Sequence, residues 1–189
     1  MKKIAIFASG SGSNAENIVK YFQQNDKIKV HLVGSNNSEA KVLDRVSRYS
    51  IPTTIFNKEN LMNGDVLAIL EQKQIDFIVL AGFLLKIPKM IINKYLNKII
   101  NIHPSLLPLY GGKGMYGNYV HQKVLEEGDN ETGITIHFVN EKYDDGAIIF
   151  QAKCPLEDNL TIKKIAKKVH DLEMKFYPKI IENILNESN

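Results

Sequence analysis

A single cysteine, Cys154, stands in a chain of 189 residues, so no intramolecular disulfide can form. A lone thiol suits a reducing compartment. Arginine is nearly as scarce, with only Arg45 and Arg48. Nucleic-acid grooves exploit arginine forks, so the net charge of +3, carried by lysine, does not point to a nucleic-acid partner. Lys163, Lys164, Lys167 and Lys168 recur at helical spacing and read as a solvated face. No apolar run approaches the roughly 20 residues that span a bilayer. Met1-Lys2-Lys3 leads into a strand pattern rather than a signal peptide. Repeats, linkers and low-complexity tracts are missing as well. These absences leave the expectation of a soluble, cytoplasmic protein, one domain over residues 1–189, with no membrane or nucleic-acid partner.

What is present is an alternation. Apolar runs at 3–8, 29–34, 52–56, 76–82 and 99–103 read as strands. Between them lie helical patterns through Ile18, Val19 and Phe22, and over 40–49, 66–74 and 88–96. Pro88 sits near the start of the last of these, where its missing N–H costs nothing. Such alternation predicts an α/β fold with a doubly wound, mostly parallel sheet and right-handed crossovers. After Pro104 the pattern changes. Residues 105–118 form a Gly-rich loop too long for a plain connection and therefore a candidate lid or binding loop. A helix over 120–127 follows, then strand-like runs at 133–140 and 147–152, whose short junction predicts an antiparallel pair. A long helix over 161–187 ends the pattern, with Pro178 as a possible kink.

Three features carry chemistry. Strand alternation puts Asn101 and His103 on one face and Ile100 and Ile102 on the other. Pro104 holds His103 extended as the chain leaves the sheet. An amide and an imidazole at a strand exit can polarise a carbonyl and move a proton; the alternative is a strand end whose polar residues face water. Gly10-Ser11-Gly12-Ser13-Asn14-Ala15 follows the first strand and opens the first helix, a context in which backbone N–H groups cradle phosphate. It lacks a Walker lysine, and Gly34-Ser35-Asn36-Asn37 lacks the acid that a dinucleotide ribose needs. A phosphate monoester fits better than NAD. The third feature is Glu173, which lies within an apolar stripe of Ile162, Ala166, Val169, Phe176, Ile180 and Ile184. A carboxylate there needs donors, either from the protein or from the hydroxyls of a bound sugar. Tyr143-Asp144-Asp145-Gly146 reads as a hairpin turn, and carboxylates beside a histidine would raise its pKa. His31, His121 and His137 lack the spacing of a metal site, so no metal is expected.

Together these segments resemble the phosphoribosylglycinamide formyltransferases, folate-dependent enzymes of purine synthesis, over essentially the whole chain. SGSGSN looks like that family's phosphate loop, DFIVLAGFLLKI its fourth-strand segment and INIHPSLLP its catalytic strand. TGITIHFV and YDDGAIIFQ look like its late strand pair, and HDLEMKFYP its final helix. The resemblance implies a Rossmann-like formyltransferase fold that moves a formyl group from 10-formyltetrahydrofolate to the amine of glycinamide ribonucleotide. It assigns Asn101, His103 and Asp144 to catalysis. Gly12, Ser13 and Asn14 would hold the substrate phosphate, and Glu173, with His170 one turn earlier, the ribose. Leu84, Leu85, Lys86, Ile87, Asn140, Glu141, Lys142 and Tyr143, with Asn101, would line the folate pocket. The implied partners are small molecules, and the implied state is a monomer or weak homodimer. Two departures stand out: no arginine follows Arg48 to meet the folate tail, which leaves Lys58, Lys86 or Lys113, and Asp145 replaces a small residue. A hydrolase of formylfolate and a non-catalytic nucleotide-binding module are the competing readings.

Overall fold

A computed structural model describes residues 1–157 and 160–187. Its strands are β1 (Lys2–Phe7), β2 (Ile28–Ser35), β3 (Thr53–Ile55), β4 (Phe77–Leu80), β5 (Ile99–His103), β6 (Glu131–Phe138) and β7 (Ile148–Pro155). Its helices are α1 (Ser13–Phe22), α2 (Lys41–Ser47), α3 (Lys58–Asn63), α4 (Asp65–Gln72), α5 (Lys89–Lys94), α6 (Asn118–Glu126) and α7 (Ile162–Glu187). The seven strands form one sheet in the order β3-β2-β1-β4-β5-β6-β7. Pairings from β3 through β5 are parallel, while β6 runs antiparallel to both β5 and β7.

The strand order reverses between β1 and β4. A crevice forms where chains leave a parallel sheet in opposite directions, outside the carboxyl ends of those strands. The glycine loop after β1 and the exit of β5 both open there. Alternation along each strand splits the core in two. Ile4, Ile6, Ile100 and Ile102 pack beneath α1, α2 and α7, whereas Ala5, Phe7, Ile78 and Ile99 pack beneath α3 to α5. Asn101 and His103 continue the face of Ile99.

Some boundaries differ from expectation. The six-residue helix α3 has only Leu61 as its buried apolar residue, too little for a period, and is fixed instead by reciprocal capping between Asn57 and Asn60. The buried ridge of α7 is Ile165, Val169, Tyr177, Ile181 and Leu185, not the stripe through Ile162, Phe176, Ile180 and Ile184, which is only half-buried. Glu173 occupies the one place in that four-residue series that is not apolar. The helix continues through Pro178.

Both arginines are spent on one residue. Glu16 of α1 takes Arg45 at 2.7 Å, Lys20 at 3.2 Å and Arg48 at 3.9 Å, with the Tyr49 hydroxyl donating at 3.1 Å. The Arg45 guanidinium, above all, holds the Glu16 carboxyl down to about 2. This cluster clamps α1 to α2, and so fixes the loop that precedes α1. On the other flank, fully buried Tyr177 donates its hydroxyl to the Leu80 carbonyl at 2.8 Å, tying α7 to the end of β4. Removing that hydroxyl deletes a buried hydrogen bond between α7 and β4. Tyr177→Phe is expected to cost about 0.5–1.5 kcal/mol, seen as a lower urea midpoint with an unchanged slope; an unchanged midpoint would contradict this anchoring.

Candidate active site

Antiparallel pairing of β5 with β6 sets Asn101 opposite His137 and His103 opposite Thr135. His137 is 2% exposed and its Nδ1–H donates to the Phe138 carbonyl at 2.8 Å, since a carbonyl can only accept. Its Nε2 is thereby left to accept from the Asn101 amide Nδ2 at 3.2 Å. The second N–H of that amide reaches Asp144 Oδ1 at 3.4 Å. Two acceptors on the same side fix which way the Asn101 amide faces.

His103, 3% exposed, makes the opposite choice of tautomer. Its Nε2–H donates to the Tyr110 carbonyl at 2.7 Å, which leaves the Nδ1 lone pair 3.5 Å from Asp144 Oδ2. The same carboxylate oxygen accepts the Gly112 N–H at 3.0 Å. Asp144 itself sits at φ 52, the left-handed region that short polar side chains tolerate best. One carboxylate thus gathers β5, β6 and the Gly-rich loop.

Burial decides the charge on His103. It pushes the imidazole below its ordinary value and outweighs the raising effect of Asp144, so the ring is neutral at neutral pH. The acidic turn was expected to raise it; desolvation wins. Burial also pushes the Asp144 carboxyl up, but His137, His103 and the Gly112 amide together hold it below the usual carboxylate range. Asp145 takes no part, because its carboxylate accepts from Asn140 Nδ2 at 3.0 Å and lies 3.8 Å from Lys142 Nζ at the surface.

From this cluster a cleft of about 1310 Å³ runs to the glycine loop. Gly12 has φ +75, and a Cβ there would lie 2.5 Å from Val42, so glycine is required for the turn into α1. Asn14 Nδ2 donates to Glu173 Oε2 at 2.8 Å, and His170 Nδ1 lies 3.2 Å from the same oxygen. That contact raises the pKa of His170. Glu173 is therefore held from both sides while it faces the cleft.

The formyl transferase family model matches residues 2–181. The chain is 37% identical over 188 residues to a phosphoribosylglycinamide formyltransferase of Haemophilus influenzae, covering 96% of this chain and 86% of that protein. It is 36% identical over 195 residues to one from Bacillus subtilis, covering 100% and 97%. The crystal structure of a phosphoribosylglycinamide formyltransferase from Anaplasma phagocytophilum superposes with a TM-score of 0.90 at 31% identity, covering 98% of this chain and 87% of that one.

The chain belongs to the formyl transferase family.

Within this formyl transferase, the cleft is lined by Gly12, Ser13, Asn14, Leu84, Asn101, His103, Tyr143, Asp144, His170 and Glu173. Leu85, Lys86, Ile87, Asn140 and Lys142 line a small adjoining slot of about 60 Å³, which Asn101, Tyr143 and Asp144 share. Glu141 lines neither cavity; it pairs with Lys89 at 3.2 Å on the surface, so its expected place in a folate pocket is not seen. Sequence reasoning names His137 only in excluding a metal site and does not show its hold on Asn101. It gave Thr135 no role, yet the Thr135 hydroxyl donates to the Ser105 carbonyl at 2.7 Å and accepts the Leu107 N–H at 2.9 Å, fastening the loop after His103. Only the β5–β6 register brings these residues to the site, and that pairing leaves no local pattern. No cluster of metal-ligating side chains occurs among the described residues.

The electrostatics give a signed expectation. A neutral His103 loses function when it protonates, so the acid limb of kcat/KM should fall below the ordinary histidine value of 6.5. Asp144→Asn removes a group that raises the histidine's pKa, so that limb should move to still lower pH while kcat drops. A limb that stays put or moves upward in the pH–rate profile would contradict the arrangement.

Proposed function

We propose that this chain transfers the formyl group of 10-formyltetrahydrofolate to the amine of 5'-phosphoribosylglycinamide, a step of purine biosynthesis. The observation that carries the reading is the gathering of Asn101, His103 and Asp144 at one part of a cleft that also contains the glycine loop and Glu173. Relatives at 36–37% identity over nearly the whole chain bear the phosphoribosylglycinamide formyltransferase name.

The residues divide the substrate between them. Backbone N–H groups of Gly12, Ser13 and Asn14, at the positive end of α1, take the phosphate. Glu173, oriented by Asn14 and His170, accepts the ribose hydroxyls. The apolar slot beside Leu85, Ile87 and Val139, which opens into the main cleft at Asn101, Tyr143 and Asp144, fits the flat ring of the folate in character. With both arginines serving Glu16, lysines such as Lys86 in the slot and Lys113 on the cleft meet the folate tail.

The folate supplies the formyl group; the chain's own groups manage charge and protons. As the amine forms its bond to the formyl carbon, negative charge gathers on the formyl oxygen. The Asn101 N–H that spans 3.4 Å to Asp144 is the weaker of its two hydrogen bonds and is the one free to turn to that oxygen. His103 Nδ1 takes the amine proton, the imidazolium is stabilised by Asp144, and the proton returns to the folate nitrogen as its bond to carbon breaks.

Loss of 10-formyltetrahydrofolate, followed with and without the ribonucleotide, tests the reading. Consumption should require the ribonucleotide, and Asn101→Ala should lower kcat by roughly a hundredfold with ribonucleotide binding little changed. Formate release at an equal rate without the ribonucleotide would make the chain a hydrolase instead.

A further inference from the structure

His121 of α6 is 5% exposed and lines the cleft, apart from the catalytic cluster and the glycine loop. Its Nδ1 is shut off from solvent without a hydrogen-bond partner. Its Nε2 makes no hydrogen bond among the described residues either. A buried imidazole with neither nitrogen satisfied by the protein is costly, and such groups are commonly explained by a ligand.

The tautomer follows from the burial. An N–H at Nδ1 would be an orphaned donor in a sealed position, a worse arrangement than an unused lone pair. The proton therefore sits on Nε2, the nitrogen left to the cleft. Burial also lowers the pKa of the ring, outweighing the raising effect of Glu173, and His103 lowers it further. His121 is thus a neutral single donor in the same cleft as the carboxylate assigned to the ribose and the histidine assigned to the reacting amine.

Resting on the proposed function, we infer that His121 is a substrate-positioning residue whose Nε2–H donates to the amide carbonyl of the glycinamide group. The chemistry of the substrate leaves few other choices. Between the ribose and the reacting amine lie one amide N–H, one carbonyl and one methylene, and only the carbonyl accepts a hydrogen bond. Holding that carbonyl fixes the rotation of the glycyl arm and so aims the amine at the formyl carbon. It also gives the cleft a means of rejecting amines that lack the amide.

Three variants and two ligands test this. His121→Leu keeps the bulk and removes the donor; His121→Gln puts an amide N–H where Nε2 stands; His121→Asn puts one at Nδ1 instead. His121→Leu should lower kcat/KM for the ribonucleotide by about tenfold or more, with the KM for 10-formyltetrahydrofolate unchanged. His121→Gln should recover most of that loss, and His121→Asn should not. Ribose 5-phosphate, which lacks the amide, should inhibit all four proteins with the same constant. Equal loss of ribose 5-phosphate and ribonucleotide affinity in His121→Leu would overturn the inference, because His121 would then merely shape the cleft. So would a failure of His121→Gln to recover activity while its melting temperature matches wild type. Recovery by Asn rather than Gln would also overturn it, placing the donor on the wrong nitrogen. A wild-type protein that binds ribose 5-phosphate yet formylates no ribonucleotide would instead refute the proposed function on which the inference rests.

Discussion

Asp144 is the constraint on which the site's geometry depends. Its carboxylate lies 3.4 Å from the Asn101 amide, 3.6 Å from His137 Nε2, 3.5 Å from His103 Nδ1 and 3.0 Å from the Gly112 N–H. These partners belong to β5, to the Gly-rich loop that follows it and to β6, which the chain reaches only after α6. A charge this well enclosed is held because the Asn101 and Gly112 N–H groups donate to it. The left-handed backbone at Asp144 is the local cost of aiming the side chain inward while Asp145 turns out to solvent. The carboxylate is ionised and both neighbouring imidazoles are arranged around it before any ligand arrives. Preorganisation of this kind spares reorganisation during the reaction itself.

The rest of the cleft is organised by similar indirect support. Glu173 faces the cleft because Asn14 and His170 hold it, and Asn14 stands there because Gly12 permits the turn against Val42. The Glu16 cluster fixes α1 on α2, and the Tyr177 hydroxyl fixes α7 on β4. Each supporting contact joins elements that flank the strand-order reversal, where the sheet offers an opening.

The parallel half of the sheet was legible because its strands are buried on both faces and read as unbroken apolar runs between helical patterns. The glycine loop and the Asn101/His103 face were legible because each depends on local geometry alone. Glu173 was legible as an oddity, though in the wrong stripe: half-buried Phe176, Ile180 and Ile184 mimic a ridge that in fact passes through Tyr177, Ile181 and Leu185. What could not be read depends on register between distant segments. His137 reaches Asn101 across the antiparallel β5–β6 pair, 36 positions on in the chain, and nothing local to either residue announces it. The sign of the His103 shift escaped for a related reason. A sequence displays the neighbouring acid but not the depth of burial, and burial is the larger effect here.

The two imidazoles around Asp144 carry their protons on opposite nitrogens, which leaves His137 to hold the Asn101 amide and His103 to present a basic Nδ1. Long-range proton–nitrogen NMR correlations of the histidine rings read the tautomers directly, in the wild-type protein without ligands. The expected result at neutral pH is a neutral His103 protonated at Nε2 and a His137 whose Nδ1 is protonated. A His103 protonated at Nδ1, or both rings in the same neutral form, would contradict the account.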